Sequence, residues 1–242
     1  MNKTLFIADL HLDPSRPAIT KLFLDFLASE ARRATALYIL GDLFEVWLGD
    51  DDPDPHHARV AQALQALAAA GIPVFFMVGN RDFLLGEDYA HRAGMTLLTE
   101  PVKLDLYGTP TVILHGDVLC TDDRTYQTFR KLVRNRLWQK WFLASPLKWR
   151  RMLAGATRKQ SANRGQSVSP TITDVNADAV ATMFREQNVS RIIHGHTHRP
   201  AVHSLELDGR PCKRIVLGDW YEQGSVLRVT EAGADLTALP VP

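Results

Sequence analysis

Five short apolar runs each end in a loop carrying a metal-ligand type, and this repetition limits the fold more than any other feature of the chain. The runs occupy residues 4–8, 37–40, 74–78, 111–114 and 191–193. They are β-branched or aromatic and have the length of strands. They lead into Asp9-Leu10-His11, Gly41-Asp42, Gly79-Asn80-Arg81-Asp82, His115-Gly116-Asp117 and His194-Gly195-His196-Thr197-His198. Residues 19–33 and 58–70 space apolar side chains three and four apart, which predicts helices, and Gly71 with Pro73 stops the second. Strand alternating with helix predicts α/β layers. Residues 201–239 read as short strands with turns at Asp208-Gly209 and Ala232-Gly233, which predicts a second sheet. Open α/β sheets hold ligands outside the carboxyl ends of their strands, so the five loops are expected to meet at one crevice. A glycine adjoins the ligand in four of the five, permitting sharp turns and close backbone approach.

Alone, an Asp after a strand is ordinarily a helix cap and a strand-end His is ordinarily hydrogen-bonded. Five in the same polarity are not explained that way. The set contains Asp, Asn and His without thiolate, which suits Mn²⁺, Fe²⁺ or Zn²⁺. Seven candidates, Asp9, His11, Asp42, Asn80, His115, His196 and His198, exceed the needs of one ion. Two ions sharing a carboxylate, roughly 3.5–4 Å apart, use them all and suit phosphoryl displacement. His194 reads as a packed or hydrogen-bonded strand histidine, and His56, His57, His91 and His203 as surface residues. Asp50, Asp51 and Asp52 are either supports of the site or a solvated loop.

Length and charge add a boundary. The chain has 242 residues, 45% of them hydrophobic, and suits one domain with an insertion or two small domains. No signal-peptide core and no run of eighteen apolar residues is present, which predicts a cytosolic protein without a spanning helix. Cys120 and Cys212 match no zinc or redox spacing and read as buried thiols. Net charge is +1, yet residues 124–173 hold twelve Lys and Arg and no acidic residue, leaving 16 basic and 27 acidic elsewhere. Three of the five tryptophans, Trp138, Trp141 and Trp149, lie in that stretch. It reads as an inserted basic subdomain or as two ordinary helices with solvated faces. Leu132, Trp138, Trp141, Phe142 and Leu153 belong either to a core or to an apolar groove.

In order, D-L-H, G-D, G-N-R-D, H-G-D and G-H-T-H resemble the signature of the calcineurin-like metallophosphoesterases. Longer stretches resemble one branch of that family: A-D-L-H-L at 8–12, L-G-D-L-F-E-V-W-L-G-D-D at 40–51, G-N-R-D-F-L at 79–84, H-G-D-V-L-C-T-D-D at 115–123 and H-G-H-T-H-R-P-A at 194–201. That branch cleaves the pyrophosphate of an acylated UDP-glucosamine lipid in lipid A biosynthesis, releasing UMP and the acylated sugar 1-phosphate. The resemblance implies a four-layer αββα sandwich with a core over 1–121 and 174–242 and a helical cap over 122–173. It implies two Mn²⁺ ions, one on Asp9, His11, Asp42 and His198, the other on Asp42, Asn80, His115 and His196. Catalytic roles are implied for Asp42, Asn80, Arg81 and His115, with an activated water attacking the phosphorus attached to uridine. Substrate contacts are implied for Asn80, Arg81, Asp123, Ser161 and His196. The chain departs from the family pattern in the cap, where Gly165 and Val168 stand at the places of an Asn and a Lys. Arg158, Lys159 or Arg164 are the candidates to replace that basic contact. Many of the family also read G-N-H where this chain has Arg81. The resemblance further implies peripheral association with the cytoplasmic face of the inner membrane, where Arg134, Lys140 and Arg150 are expected to face the anionic lipid, with no nucleic-acid ligand and no obligate protein partner.

Two rivals remain at this stage. A phosphoesterase acting on nucleic acid or nucleotides would use the basic, Trp-rich stretch as a strand-binding platform. A non-catalytic scaffold would have no need to keep all seven ligand positions filled.

Overall fold

The computed structural model describes residues 2–155 and 174–241. Two sheets stack face to face. The first has strand order β11-β10-β1-β2-β3-β4 and comprises β1 (Thr4–Ile7), β2 (Ala36–Leu40), β3 (Val74–Met77), β4 (Met95–Leu97), β10 (Gly224–Thr230) and β11 (Gly233–Leu239). The second has order β5-β6-β7-β9-β8, from β5 (Val102–Leu106), β6 (Thr109–Leu114), β7 (Arg191–His194), β8 (Ala201–Leu207) and β9 (Arg210–Val216). The five ligand-bearing strands are thus divided three and two between the sheets. Strands β1 to β3 are mutually parallel, as are β6 and β7, so their carboxyl ends still deliver loops to one edge of the sandwich.

Period-2 alternation assigns the side chains to three apolar layers. Leu5, Ile7, Leu37, Ile39, Val74 and Phe76 face α1 (Pro17–Ala28), α2 (Pro55–Ala69) and α3 (Glu87–Ala93). Phe6, Leu40, Met77, Ile113 and Ile193 point the other way and fill the space between the sheets. Val112, Leu114 and Ile192 form the outer layer with Val180 and Phe184 of α7 (Ala177–Gln187). The result is a four-layer αββα sandwich, as the resemblance implies. Strands β10 and β11 join the first sheet rather than the second, because β10 pairs antiparallel with β1.

Glu30, just beyond α1, ties the helix layer to the sheet. Its carboxylate accepts from Arg228 Nε at 2.6 Å and Nη2 at 2.7 Å and from Lys3 Nζ at 2.9 Å. The Arg228 hydrogen bonds, aided by Lys3 against partial burial, hold its carboxyl down at about 2 against an ordinary 4.5. A depressed folded-state pKa contributes stability above the ordinary value that is lost as pH falls toward 2. Glu30→Gln is therefore expected to be less stable than the parent at pH 7, with the gap narrowing by pH 3. Urea unfolding of both proteins at the two pH values measures this, and an equal gap at both would disprove it.

The basic stretch starts as helices α4 (Arg124–Val133), α5 (Arg136–Leu143) and α6, helical over 147–155. Asp123 caps α4 by accepting Tyr126 N at 2.9 Å, and Asn135 caps α5 by accepting Leu137 N at 2.9 Å. Phe142, Trp138 and Leu153 pack into the core layer under α1 to α3, with Trp138 stacked on Phe142 at 5.0 Å. Leu132 and Trp141 stay exposed, at 55% and 59%.

The lipid-facing expectation fails for two of its three basic residues. Arg150 is 1% exposed and donates to Leu48 O, to Ser145 O and to the Asp51 carboxylate. Arg134 donates to Gly79 O at 2.9 Å and lies 3.6 Å from Asp117. Both guanidiniums satisfy carbonyls and carboxylates of the core, and only Lys140 of the three is solvent-exposed. Asp51 and Asp52, which pairs with Arg151 at 2.8 Å, therefore fasten α6 to the loop after β2. Asp50 accepts from Gly86 N and Tyr89 N, both at 3.0 Å, at the start of α3.

Candidate metal centre

Each of the seven candidate ligands sits within a few residues of a strand's carboxyl end, and the structure brings all seven together. Asp9 and His11 follow β1, Asp42 follows β2, Asn80 follows β3, His115 follows β6, and His196 and His198 follow β7. Cross-links between the loops set their spacing. Asp9 N donates to Gly41 O at 3.1 Å, His11 N to Asp42 O at 2.9 Å and Gly195 N to His115 O at 2.8 Å. At Gly41, with φ +91°, a Cβ would come 2.7 Å from Gly79 Cα, so only glycine lets these two loops touch.

Five of the seven have left-handed backbones: Asp9 (φ 55°), His11 (48°), Asp42 (53°), His196 (71°) and His198 (54°). Non-glycine residues in this region are strained, and such strain concentrates at functional sites where the surrounding fold enforces it.

Two overlapping groups have ligand atoms within 4.8 Å of one another, Asp9 with His11 and His198, and Asp9 with Asp42 and His115. Asp42 Oδ2 lies 3.7 Å from His11 Nε2 and 3.9 Å from His115 Nε2, facing both groups, while its Oδ1 accepts Arg81 N at 2.7 Å. Asn80 Oδ1 lies 3.0 Å from His115 Nε2 and 2.8 Å from His196 Nδ1. The Nε2 atoms of His11 and His198 are 3.2 Å apart. Asp9 Oδ2 accepts His196 N at 2.8 Å, whereas its buried Oδ1 has no hydrogen-bond partner.

The electrostatics of this arrangement call for positive charge. Burial opposes ionisation of Asp9, but His198, whose Nε2 lies 3.4 Å from Oδ1 without the alignment of a hydrogen bond, and the charges of His115 and His11 hold it at about 2. Burial likewise opposes charge on His115 and His198. For His115 the carboxylates of Asp42, Asp117, Asp9 and Glu100 prevail and raise it to about 9. For His198 the carboxylates of Asp219 and Asp9, each 3.4 Å from a ring nitrogen, prevail and raise it to about 10. His196 goes the other way, lowered to about 4 by burial and by His115. Buried carboxylates that draw protons onto histidines, an orphaned carboxylate oxygen and two imidazole nitrogens in contact fit divalent cations. Oxygen and imidazole donors without sulfur suit Mn²⁺, Fe²⁺ or Zn²⁺ alike.

Four further carboxylates support the site, and the sequence assigned that duty to none of them. Asp82, fully buried, accepts Gly79 N and Leu43 N at 2.7 Å and Asp42 N at 3.3 Å. Burial and the Asp42 charge push it up to about 6 against those donors. Asp117 accepts from Tyr126 OH at 2.9 Å and Arg130 Nε at 2.7 Å. Burial opposes its ionisation, but His115 and Arg130 carry it well below the carboxylate range. Glu45 and Asp219 stand behind the histidines, Glu45 Oε2 3.1 Å from His11 Nδ1 and Asp219 Oδ2 3.4 Å from His198 Nδ1. The G-N-R-D and H-G-D motifs contain Asp82 and Asp117, so their positions were visible though their duties were not.

Of the remaining expectations, Arg81 lies at the mouth of the site, 3.6 Å from Glu45. His194 is fully buried, its Nδ1 2.8 Å from Gly195 O, and burial depresses it to about 3, consistent with a packed histidine. His56 and His57 are half-buried rather than surface residues, since His57 packs 4.5 Å from both Phe44 and Trp47. Cys120 and Cys212 are free and buried. Ser161, Gly165 and Val168, with Arg158, Lys159 and Arg164, lie outside the described residues. Among the described residues no helix is long and apolar enough to cross a membrane.

Residues 3–200 match the calcineurin-like phosphoesterase family. The chain is 55% identical over 240 residues to UDP-2,3-diacylglucosamine hydrolase of Xanthomonas oryzae pv. oryzae PXO99A, covering 96% of this chain and 97% of that protein. The proteins of the same name from Xanthomonas axonopodis pv. citri and Stenotrophomonas maltophilia K279a are each 55% identical over 243 residues, covering 98% of both chains.

Proposed function

The chain belongs to the calcineurin-like phosphoesterase family, and on that footing we propose that it hydrolyses UDP-2,3-diacylglucosamine at the pyrophosphate, giving UMP and 2,3-diacylglucosamine 1-phosphate. The observation that carries this reading is identity of 55% extending over 96% of the chain, which includes the inserted helices as well as the ligand loops. The division follows the same reading, a core over 1–121 and 174–242 and a cap over 122–173 that serves the acylated substrate. Exposed Phe129, Leu132, Leu137, Trp141 and Met152 on the cap helices give it apolar surface for acyl chains and for the membrane that supplies them.

Two Mn²⁺ ions are assigned to the site, one on Asp9, His11, Asp42 and His198, the other on Asp42, Asn80, His115 and His196. When bound, such ions lower the pKa of water and neutralise phosphoryl charge. The chain's own groups supply position. Asp42, held at Oδ1 by Arg81 N, keeps Oδ2 turned toward both histidine groups. Asn80 and His196, linked through Asn80 Oδ1, are assigned to the substrate phosphate as well, with Arg81, Asp123 and Ser161 as further contacts. Arg81 presents a fork of donors to phosphoryl oxygens and cannot release a proton. A leaving group that needs little protonation suits it, and a phosphate monoester departing from a pyrophosphate is one.

The test is turnover with Mn²⁺ of UDP-2,3-diacylglucosamine beside UDP-glucose, ADP-ribose, an alkyl phosphate and a single-stranded oligonucleotide. Only the first should be cleaved efficiently. Preference for the oligonucleotide or the alkyl phosphate would overturn the assignment. A second expected outcome concerns the point of attack. In ¹⁸O-water the label should enter UMP, and mass spectrometry finding it in the sugar phosphate would reverse the orientation of substrate in the site.

A further inference from the structure

Glu45 follows the Gly41-Asp42 loop by three residues and lies at the mouth of the site, 18% of its side chain exposed. Its two oxygens face different groups. Oε2 is 3.1 Å from His11 Nδ1 and 3.9 Å from Arg16 Nη2, and Tyr221 OH points to it at 3.4 Å. Oε1 is 3.6 Å from Arg81 Nη1. His11 Nδ1 is buried, and the Glu45 contact is misaligned for a full hydrogen bond, so the carboxylate acts on the ring mainly through its charge. The ring's other face is fixed by Tyr221, stacked on it at 5.1 Å with a 19° interplanar angle.

A carboxylate at Nδ1 favours the imidazole tautomer whose Nε2 lone pair is free to ligate, and it raises that nitrogen's basicity. In His11 the freed Nε2 is the atom nearest His198 and Asp42. The same carboxylate holds the guanidinium of Arg81 on the ligand side of the mouth. We infer that Glu45 is a positioning residue that couples a metal ligand, His11, to the phosphate-contacting Arg81, so that one side chain sets both ion affinity and substrate affinity. This rests on the two-ion reading above. Asp219 provides the contrast, since it stands 3.4 Å from His198 Nδ1 and has no contact with Arg81 among the described residues.

The experiment compares metal-free wild type, Glu45→Gln and Asp219→Asn, following Mn²⁺ uptake by the electron paramagnetic resonance signal of the free ion. KM and kcat for UDP-2,3-diacylglucosamine are then measured at saturating Mn²⁺. Both variants are expected to bind Mn²⁺ about 10–100-fold more weakly. With the ions restored by saturation, Glu45→Gln should still show a KM raised several-fold, the scale of one partly exposed ion pair, whereas Asp219→Asn should keep the parental KM. Glutamine preserves the size of the side chain, so loss of folding is not expected to mask the result, and far-UV circular dichroism checks it. Wild-type Mn²⁺ affinity in Glu45→Gln, or an unchanged KM at saturation, overturns the inference while leaving the metal reading intact. A wild-type protein that takes up no Mn²⁺ removes both.

Discussion

Asp42→Ala is expected to lower kcat by about 10³-fold or more while leaving the fold in place. Its Oδ2 faces both histidine groups, at 3.7 and 3.9 Å, so on the two-ion reading proposed above its loss takes a donor from each ion. Ion-supplied charge stabilisation is worth several kcal/mol, and each 1.4 kcal/mol is about tenfold in rate. The fold should tolerate the change, because Asp82 still joins this loop to its neighbour through Leu43 N and Gly79 N, although Arg81 N loses its acceptor. Steady-state turnover with excess Mn²⁺, with circular dichroism as the control for folding, makes the measurement. Near-normal kcat would refute a shared carboxylate at this position.

Asp82→Ala should act on stability and on the site together. Three buried backbone N–H groups, of Gly79, Leu43 and Asp42, would lose their acceptor. Each unsatisfied donor costs roughly 1–3 kcal/mol. Removing a carboxyl already pushed up to about 6 returns part of that. A net loss of about 2–4 kcal/mol follows, a large share of the 5–15 kcal/mol typical of a domain. The loops carrying Asp42 and Asn80 share this acceptor, so Mn²⁺ affinity should fall as well. Urea unfolding of the metal-free protein decides the first point, and an unchanged midpoint would mean that water or relaxation replaces the carboxylate.

The contrast between these two aspartates explains what was legible in the sequence. Asp42 follows a strand with a glycine before it, and that polarity, repeated five times, exposes a shared edge. Strand interiors were legible for the same reason, since Leu5-Phe6-Ile7 and Val112-Ile113-Leu114 must divide between two faces. Asp82 does its work through backbone amides of two loops 36 or more residues apart in the chain, and no spacing rule records that. Glu45 and Asp219 reach their histidines through space, Asp219 from the far end of the chain. Arg150 misled by type. A guanidinium in a basic stretch reads as solvated, yet the carbonyl of Leu48 and the carboxylate of Asp51 give it a buried seat. His57 misled in the same way, because Phe44 and Trp47 offer an aromatic bed that composition does not reveal.

The left-handed backbones of Asp9, His11, Asp42, His196 and His198 bear on how this protein can change. At each of these positions glycine would relieve strain that the present side chain must bear. That strain favours glycine at all five, and it is opposed by the backbone hydrogen bonds that Asp9 and Asp42 accept from His196 N and Arg81 N and by the ligand role proposed above. Stabilising substitutions are commonly bought from function in this manner. A programme that ranks variants by melting temperature would favour glycine at His11, His196 and His198, whose side chains support no backbone amide, and would report the loss of each as an improvement.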